Sequence, residues 1–190
     1  MNLVIKERAT LGEAVMAFIL LMTNYQKKGY VSCSCTLVDL CTLYGRFRDY
    51  IRRVQDYNLT PSKGQVLVAK KHGLVIGTVS ACFNPSATPI DDIFPDELTA
   101  LHASNQSFVY IGSFAVASSY QCTRLCMRMN RTVWSMAKER GVDKIICVVH
   151  PDHSKFYQRL GFTEVAVSTM SGLQSAPAAL LVVSRHDVRL

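Results

Sequence analysis

Phe156-Tyr157-Gln-Arg-Leu160-Gly161-Phe162, near the end of the chain, sets a phenol among aromatic residues in a stretch that can carry chemistry. A phenol titrates near pH 10, so at neutral pH Tyr157 is protonated and able to donate a proton. The same tyrosine also reads as a core aromatic beside Phe156 and Phe162. His153 lies one helical turn earlier on the same face, where it either orients Tyr157 or caps the first turn. A second group is Gln121-Cys122-Thr123-Arg124-Leu125-Cys126, at the start of a predicted helix. Backbone amides at a helix start attract anions, and Arg124 adds charge-assisted contacts there. The plain alternative is an ordinary turn before an amphipathic helix. Arg124, Arg128 and Arg131 recur at helical spacing and form either a basic stripe or a solvated face. Arg46, Arg48, Arg52 and Arg53 pose the same choice on an earlier helix.

These residues need a scaffold, and the stretch from Phe108 to Phe162 supplies it. Phe108 to Val116 is β-branched and aromatic on both alternating faces, as in a strand covered on both sides. Arg124 to Arg140 places Leu125, Met129, Val133, Met136 and Ala137 at helical spacing, closed by Gly141. Lys144 to Val149 is a second buried strand, so the two form a parallel, right-handed βαβ unit. A helix from Pro151 follows, with Asp152 in its first turn and Gly161 as its left-handed cap.

Before this unit, Leu3 to Lys6 reads as a short strand and Leu11 to Lys28 as a helix apolar almost all round, which is buried or covers a ligand. Thr36 to Tyr57 is a second, amphipathic helix. Gln65 to Lys71 and Leu74 to Phe83 form an antiparallel hairpin around His72-Gly73. Asn84 to Pro95 reads as a surface loop and Asp96 to Ala103 as a short helix. After Phe162, Thr163 to Ser168 and Ala178 to Ser184 are closing strands around a loop from Thr169 to Pro177. The fold class is α+β (α/β).

The 190 residues, 49% hydrophobic and 18% charged, suit one globular domain spanning residues 1–190. The longest apolar run, Ala14 to Met22, is about half the roughly 20 residues of a membrane span. Lys6, Glu7 and Arg8 do not compose a signal peptide, so a cytoplasmic location is expected. Seven cysteines without a Cys-x-x-Cys pair point to reduced, mostly buried thiols and no metal. The net charge of +7 permits nucleic-acid binding, but no basic stretch interleaved with aromatics supports it. Oligomeric state is not readable.

The Phe156-Tyr157-x-x-Leu160-Gly161-Phe162 ending behind a βαβ unit resembles that of GNAT-type N-acyltransferases. Tyr25 with Gly29-Tyr30, Pro89 to Leu98, and Pro151-x-His153 bring it nearer the N-acyl amino acid synthase branch. The resemblance implies a mixed, mostly antiparallel sheet with one parallel βαβ unit and helices on both faces. It implies a fatty acyl group moved from a phosphopantetheine thioester, acyl carrier protein or coenzyme A, to the amine of an amino acid or similar acceptor. The thioester is a co-substrate, with no tightly bound cofactor. Tyr157 matches the general acid. The strand end Phe114-Ala115-Val116, splayed from its neighbour beside Gly112 and Ser113, together with Phe156 and the turn residues Gln121 to Cys126, would bind the donor. The Val116 backbone N–H would polarise the thioester carbonyl, a contribution of about 3 kcal/mol. Arg124 and Cys126 stand where the superfamily places glycines around pyrophosphate, which suits a carrier-protein donor with a single phosphodiester. Arg124, Arg128 and Arg131 would then meet the acidic carrier. Tyr110 stands where the branch commonly has a glutamate, so the base is unassigned, with Asp91, Asp92 and Asp96 as substitutes. An acetyl-coenzyme A transferase of a small amine or protein lysine, and a catalytically silent binding module of the same fold, are the alternatives.

Overall fold

The computed structural model describes residues 3–31, 37–121, 124–170 and 175–189, with the backbone alone for 37–40. The elements run β1 (Val4–Lys6), α1 (Leu11–Lys27), α2 (Leu37–Leu59), β2 (Gly64–Lys71), β3 (Leu74–Phe83), α3 (Pro95–Ala103), β4 (Phe108–Val116), α4 (Arg124–Glu139), β5 (Lys144–Val149), α5 (Pro151–Arg159), β6 (Thr163–Met170) and β7 (Ala176–Ser184). The seven strands make one mixed sheet in the order β1-β2-β3-β4-β5-β7-β6. β4 and β5 are its parallel pair, running from Phe108 opposite Lys144 to Ile111 opposite Cys147. Among the described residues no helix is long and apolar enough to cross a membrane. The chain divides into two compact units, 1–80 with 113–129 and 81–112 with 130–190.

In the first unit β1 pairs antiparallel with β2, Val4 opposite Lys70 and Lys6 opposite Val68. The hairpin turn places both His72 (φ 52) and Gly73 (φ 82) in the left-handed region, matching the twist of tightly joined strands. Thr10 caps α1: its hydroxyl accepts from the Glu13 backbone N–H at 3.3 Å, and Glu13 Oε2 accepts from the Thr10 N–H at 2.8 Å. Lys6 and Lys70 also donate to that carboxylate, at 2.8 and 2.7 Å. Burial alone would push the Glu13 pKa up, yet the lysines and Thr10 prevail and hold it at about 2.

α1 buries Leu21 and sets Ala14, Ala17 and Phe18 against α2 and β2, where Ala9, Tyr50, Val54, Val66 and Val68 complete the cluster. It is not apolar all round in the buried sense. Leu11, Met16 and Ile19 remain 53%, 43% and 51% exposed, because neighbours cover one side only. Gly77 on β3 makes room for α4: a Cβ there would stand 2.7 Å from the Met129 sulfur.

The second unit is built on Phe108, Ile146, Ala178 and Leu180, covered by Ile90, Phe94, Leu98 and Leu101. The stretch expected to be a surface loop is therefore a plug, with Ile90 and Phe94 only 1% and 2% exposed. Asn84 fixes its start by accepting from the Phe108 N–H through Oδ1 at 2.7 Å. β7 pairs antiparallel with both β5 and β6 and lies between them. These closing strands exceed their predicted lengths. Pro177 enters β7 opposite Thr169, close to the strand's start, where its missing N–H is tolerated. Residues 171–174 of the expected loop lie outside the described residues. Leu125, Met129, Val133, Met136 and Ala137 of α4 are all buried, as their spacing predicts. Of the cysteines whose side chains are described, Cys147 is buried, Cys82 and Cys126 are half-buried and Cys41 is exposed. The mostly buried set expected from sequence does not hold for these four.

Candidate active site

Two groups of the expected residues take defined positions, one in each unit. In the first, β4 turns at Ser113, whose φ of 51 is unusual for a residue with a side chain. Phe114 beyond it is half-buried, and Ala115 and Val116 are buried. The Val116 carbonyl accepts from Asn24 Nδ2 at 3.0 Å and from Gln121 Nε2 at 3.3 Å. Lys27 Nζ donates to Ser118 Oγ at 2.8 Å. The last turns of α1 thus tie down the end of β4 and the turn after it. Asn24 and Lys27 went unnoticed in the sequence because their partners lie some ninety residues away, a separation that no local pattern records.

Gln121 is exposed, and its amide supports the strand end. Cys122 and Thr123 lie outside the described residues. α4 begins at Arg124, which is exposed, while Leu125 is buried and Cys126 half-buried. Arg128 and Arg131 are exposed on the same helix. Among the described residues no group of three His, Cys, Asp or Glu is placed to hold a metal ion.

In the second unit, Tyr157 lies in the second turn of α5 and is 8% exposed. Phe156 and Phe162 meet its ring edge to face, with centroids 5.2 and 5.4 Å away. The cap at the start of α5 is His150, not His153. His150 Nδ1 accepts from the Asp152 N–H at 3.2 Å, whereas His153 is exposed with its ring 6.3 Å from that of His150. At the other end, Gly161 has φ 99, its N–H donates to the Gln158 carbonyl at 3.0 Å, and the Phe162 N–H donates to that of Tyr157 at 3.1 Å. A side chain on Gly161 would collide with the Asp187 carbonyl oxygen. The tyrosine is therefore held by its helix, two aromatic rings and a glycine-dependent exit.

Tyr110, opposite Ile146 on β4, packs against the Phe94 and Leu180 cluster. Its ring lies over Gly112, where a Cβ would come within 2.9 Å of it. The candidate bases differ in their ties. Asp91 accepts from the Thr88 N–H at 2.9 Å and from its hydroxyl, while Asp92 and Asp96 are exposed. Burial pushes the Cys147 thiol well above its ordinary range, so this cysteine is a packing residue and not a nucleophile.

The strand order and the parallel pair between β4 and β5 are those of the GNAT fold, and solved structures agree. An acetyltransferase from Salmonella typhimurium, solved with its cofactor acetyl-CoA, superposes with a TM-score of 0.63 at 14% identity, covering 100% of this chain and 98% of that one. An N-acetyltransferase from Staphylococcus aureus gives 0.66 at 12% identity, over 97% and 99%. FeeM, an N-acyl amino acid synthase from uncultured soil microbes, gives 0.75 at 19% identity, over 98% and 92%. No curated protein matches the sequence. The family described as N-acyl amino acid synthase FeeM matches residues 16–184, and the chain belongs to that family.

Proposed function

We propose that a single GNAT-like domain, residues 1–190, transfers a fatty acyl group from a phosphopantetheine thioester to the amine of an amino acid or similar small acceptor. The observation that carries this reading is the family match over residues 16–184. The acetyl-CoA of the Salmonella structure supports a pantetheine thioester as the donor class.

In this reaction the amine nitrogen attacks the thioester carbonyl carbon and the carbonyl oxygen gains negative charge. The Val116 N–H stabilises that oxyanion. Collapse of the tetrahedral intermediate breaks the carbon–sulfur bond, and the Tyr157 hydroxyl protonates the departing sulfur. The amine loses a proton to solvent or to a carboxylate, and the phenolate regains one from solvent. Phe114, Ala115 and Val116 line the pantetheine arm, Phe156 flanks the acid, and Gln121 to Cys126 receive the phosphate. Arg124, Arg128 and Arg131 meet an acidic acyl carrier protein, whose single phosphodiester suits a turn without glycines. Such a stripe acts mainly on the on-rate and weakens as salt screens it.

Mass spectrometry of lipid extracts after heterologous expression tests the reaction: N-acyl amino acids absent from a control strain are expected, and their absence counts against it. Kinetics with acyl carrier protein and coenzyme A thioesters of one chain length test the donor. Equal efficiency for the two, indifferent to salt, restores the coenzyme A reading.

A further inference from the structure

The peptide that joins Val116 to Ala117 is gripped from both sides. Asn24 Nδ2 of α1 donates to the Val116 carbonyl at 3.0 Å, and Gln121 Nε2 shares that acceptor at 3.3 Å. On the opposite side, the Ala117 N–H donates to the Ile76 carbonyl of β3 at 2.9 Å. A trans peptide points its N–H and C=O in opposite directions, so the Val116 carbonyl faces away from β3. An extended residue turns its own N–H and C=O to the same side of the strand. Val116 is the last residue of β4, and its N–H therefore lies on the side where Asn24 and Gln121 reach the carbonyl.

This strand end depends on such support. The register of β4 with β5 runs from Phe108 to Ile111, and at Ser113 the backbone turns through φ 51. Past that break a side-chain amide from a helix takes the part of a neighbouring strand's N–H. Lys27 Nζ, one turn further along α1, ties down the next segment through Ser118 Oγ at 2.8 Å. The helix that carries both residues is itself fixed, since Phe18 packs on Phe47 and Tyr50 of α2 with centroids 5.3 and 5.7 Å away. A backbone N–H stabilises an oxyanion only when it is aimed before the charge develops, and such aim comes from rigid elements behind it.

We infer that Asn24 is a positioning residue for acyl transfer: by holding the Val116 carbonyl it keeps the Val116 N–H aimed at the thioester oxygen. This deepens the acyl-transfer reading above and rests on it for the role of that N–H. When Asn24 is lost the carbonyl keeps Gln121 as a partner, so the fold persists while the aim loosens.

The test uses the purified full-length protein and the arm common to both donor classes, S-dodecanoylphosphopantetheine, isotope-labelled at its thioester carbonyl. Difference infrared spectra of the bound thioester, taken without amine, report how strongly that carbonyl is polarised. The parent is expected to lower the carbonyl stretch below that of the free thioester. In Asn24→Ala the stretch returns toward the free value, and so it does in Asn24→Asp, which keeps the size but has no N–H to give. With a mixture of the common amino acids as acceptor, kcat falls at least about tenfold in both variants while KM for the thioester stays within about twofold. Thr23→Ala leaves both readings unchanged, because Thr23 is exposed and its hydroxyl donates within the helix to the Ile19 carbonyl at 2.8 Å. A parent stretch equal to that of the free thioester, or variants that match the parent in stretch, overturns the positioning role. A lower melting temperature with an unmoved stretch does so too, since it makes Asn24 a fold residue only. The infrared reading needs no turnover. A parent that acylates no amine, yet whose lowered stretch is lost in Asn24→Ala, refutes the transfer reading and sustains the positioning; transfer at one rate by the parent and both variants does the reverse.

Discussion

Tyr157→Phe removes one hydroxyl from a ring held between Phe156 and Phe162. The fold and donor affinity are expected to survive, and turnover to fall by about 10²-fold or more, the effect of losing a general acid. Single-turnover rates unchanged from the parent would remove Tyr157 from the chemistry. Gly161→Val adds a β-branched side chain at φ 99 and drives it into the Asp187 carbonyl. A melting temperature lower by at least about 5 °C is expected for a chain of this size. An unchanged value would mean that the backbone there yields freely. Tyr157 and Gly161 were legible because aromatic spacing and a helix-ending glycine are local features. His150 was not, because histidine is an unusual helix cap and its role depends on where its ring points. Asn24 lay further still from view, since its partner, the Val116 carbonyl, is reached only after the chain has folded.

Secondary structure shows the same division between local and distant causes. β3, β4 and β5 begin and end where alternation and turn residues place them. The plug formed by Ile90 and Phe94 was missed, because two apolar residues among prolines and aspartates have no period to detect. Strand β1 is held to helix α1 by the Glu13 carboxylate between Lys6 and Lys70, and this makes an acid-sensitive tie. The Glu13 pKa is lowered in the folded state from 4.5 to about 2, so its stabilising contribution is complete above pH 4.5 and is lost as pH falls toward 2. Urea midpoints are therefore expected to separate parent from Glu13→Gln above that window and to converge below it. A constant gap from pH 2 to 6 would contradict the tie. On α4, Arg128→Glu with Arg131→Glu is expected to raise the Michaelis constant for an acyl carrier protein donor severalfold at low salt, and that for coenzyme A much less. Equal changes for both donors would reduce the stripe to a solvated face.

For the molecule as a whole, the hairpin and the parallel pair were readable from the sequence but the places of the closing strands were not, because their pairing partners are set by packing between distant segments. The position of β7 is the clearest case: it follows every other strand in the chain yet lies between β5 and β6. A chain stopped at Ser175 is expected to lack cooperative thermal unfolding, since Ala178 and Leu180 would be missing from the core around Phe108 and Ile146. A sharp transition from that fragment would show that the remaining strands can close without β7. The same insertion sets an order of events in folding. Until β7 is in place, β5 and β6 each present a hydrogen-bonding edge that has no strand to receive it. The second unit therefore cannot close before its last strand arrives between those edges. This delay leaves both edges open to pairing with neighbouring chains.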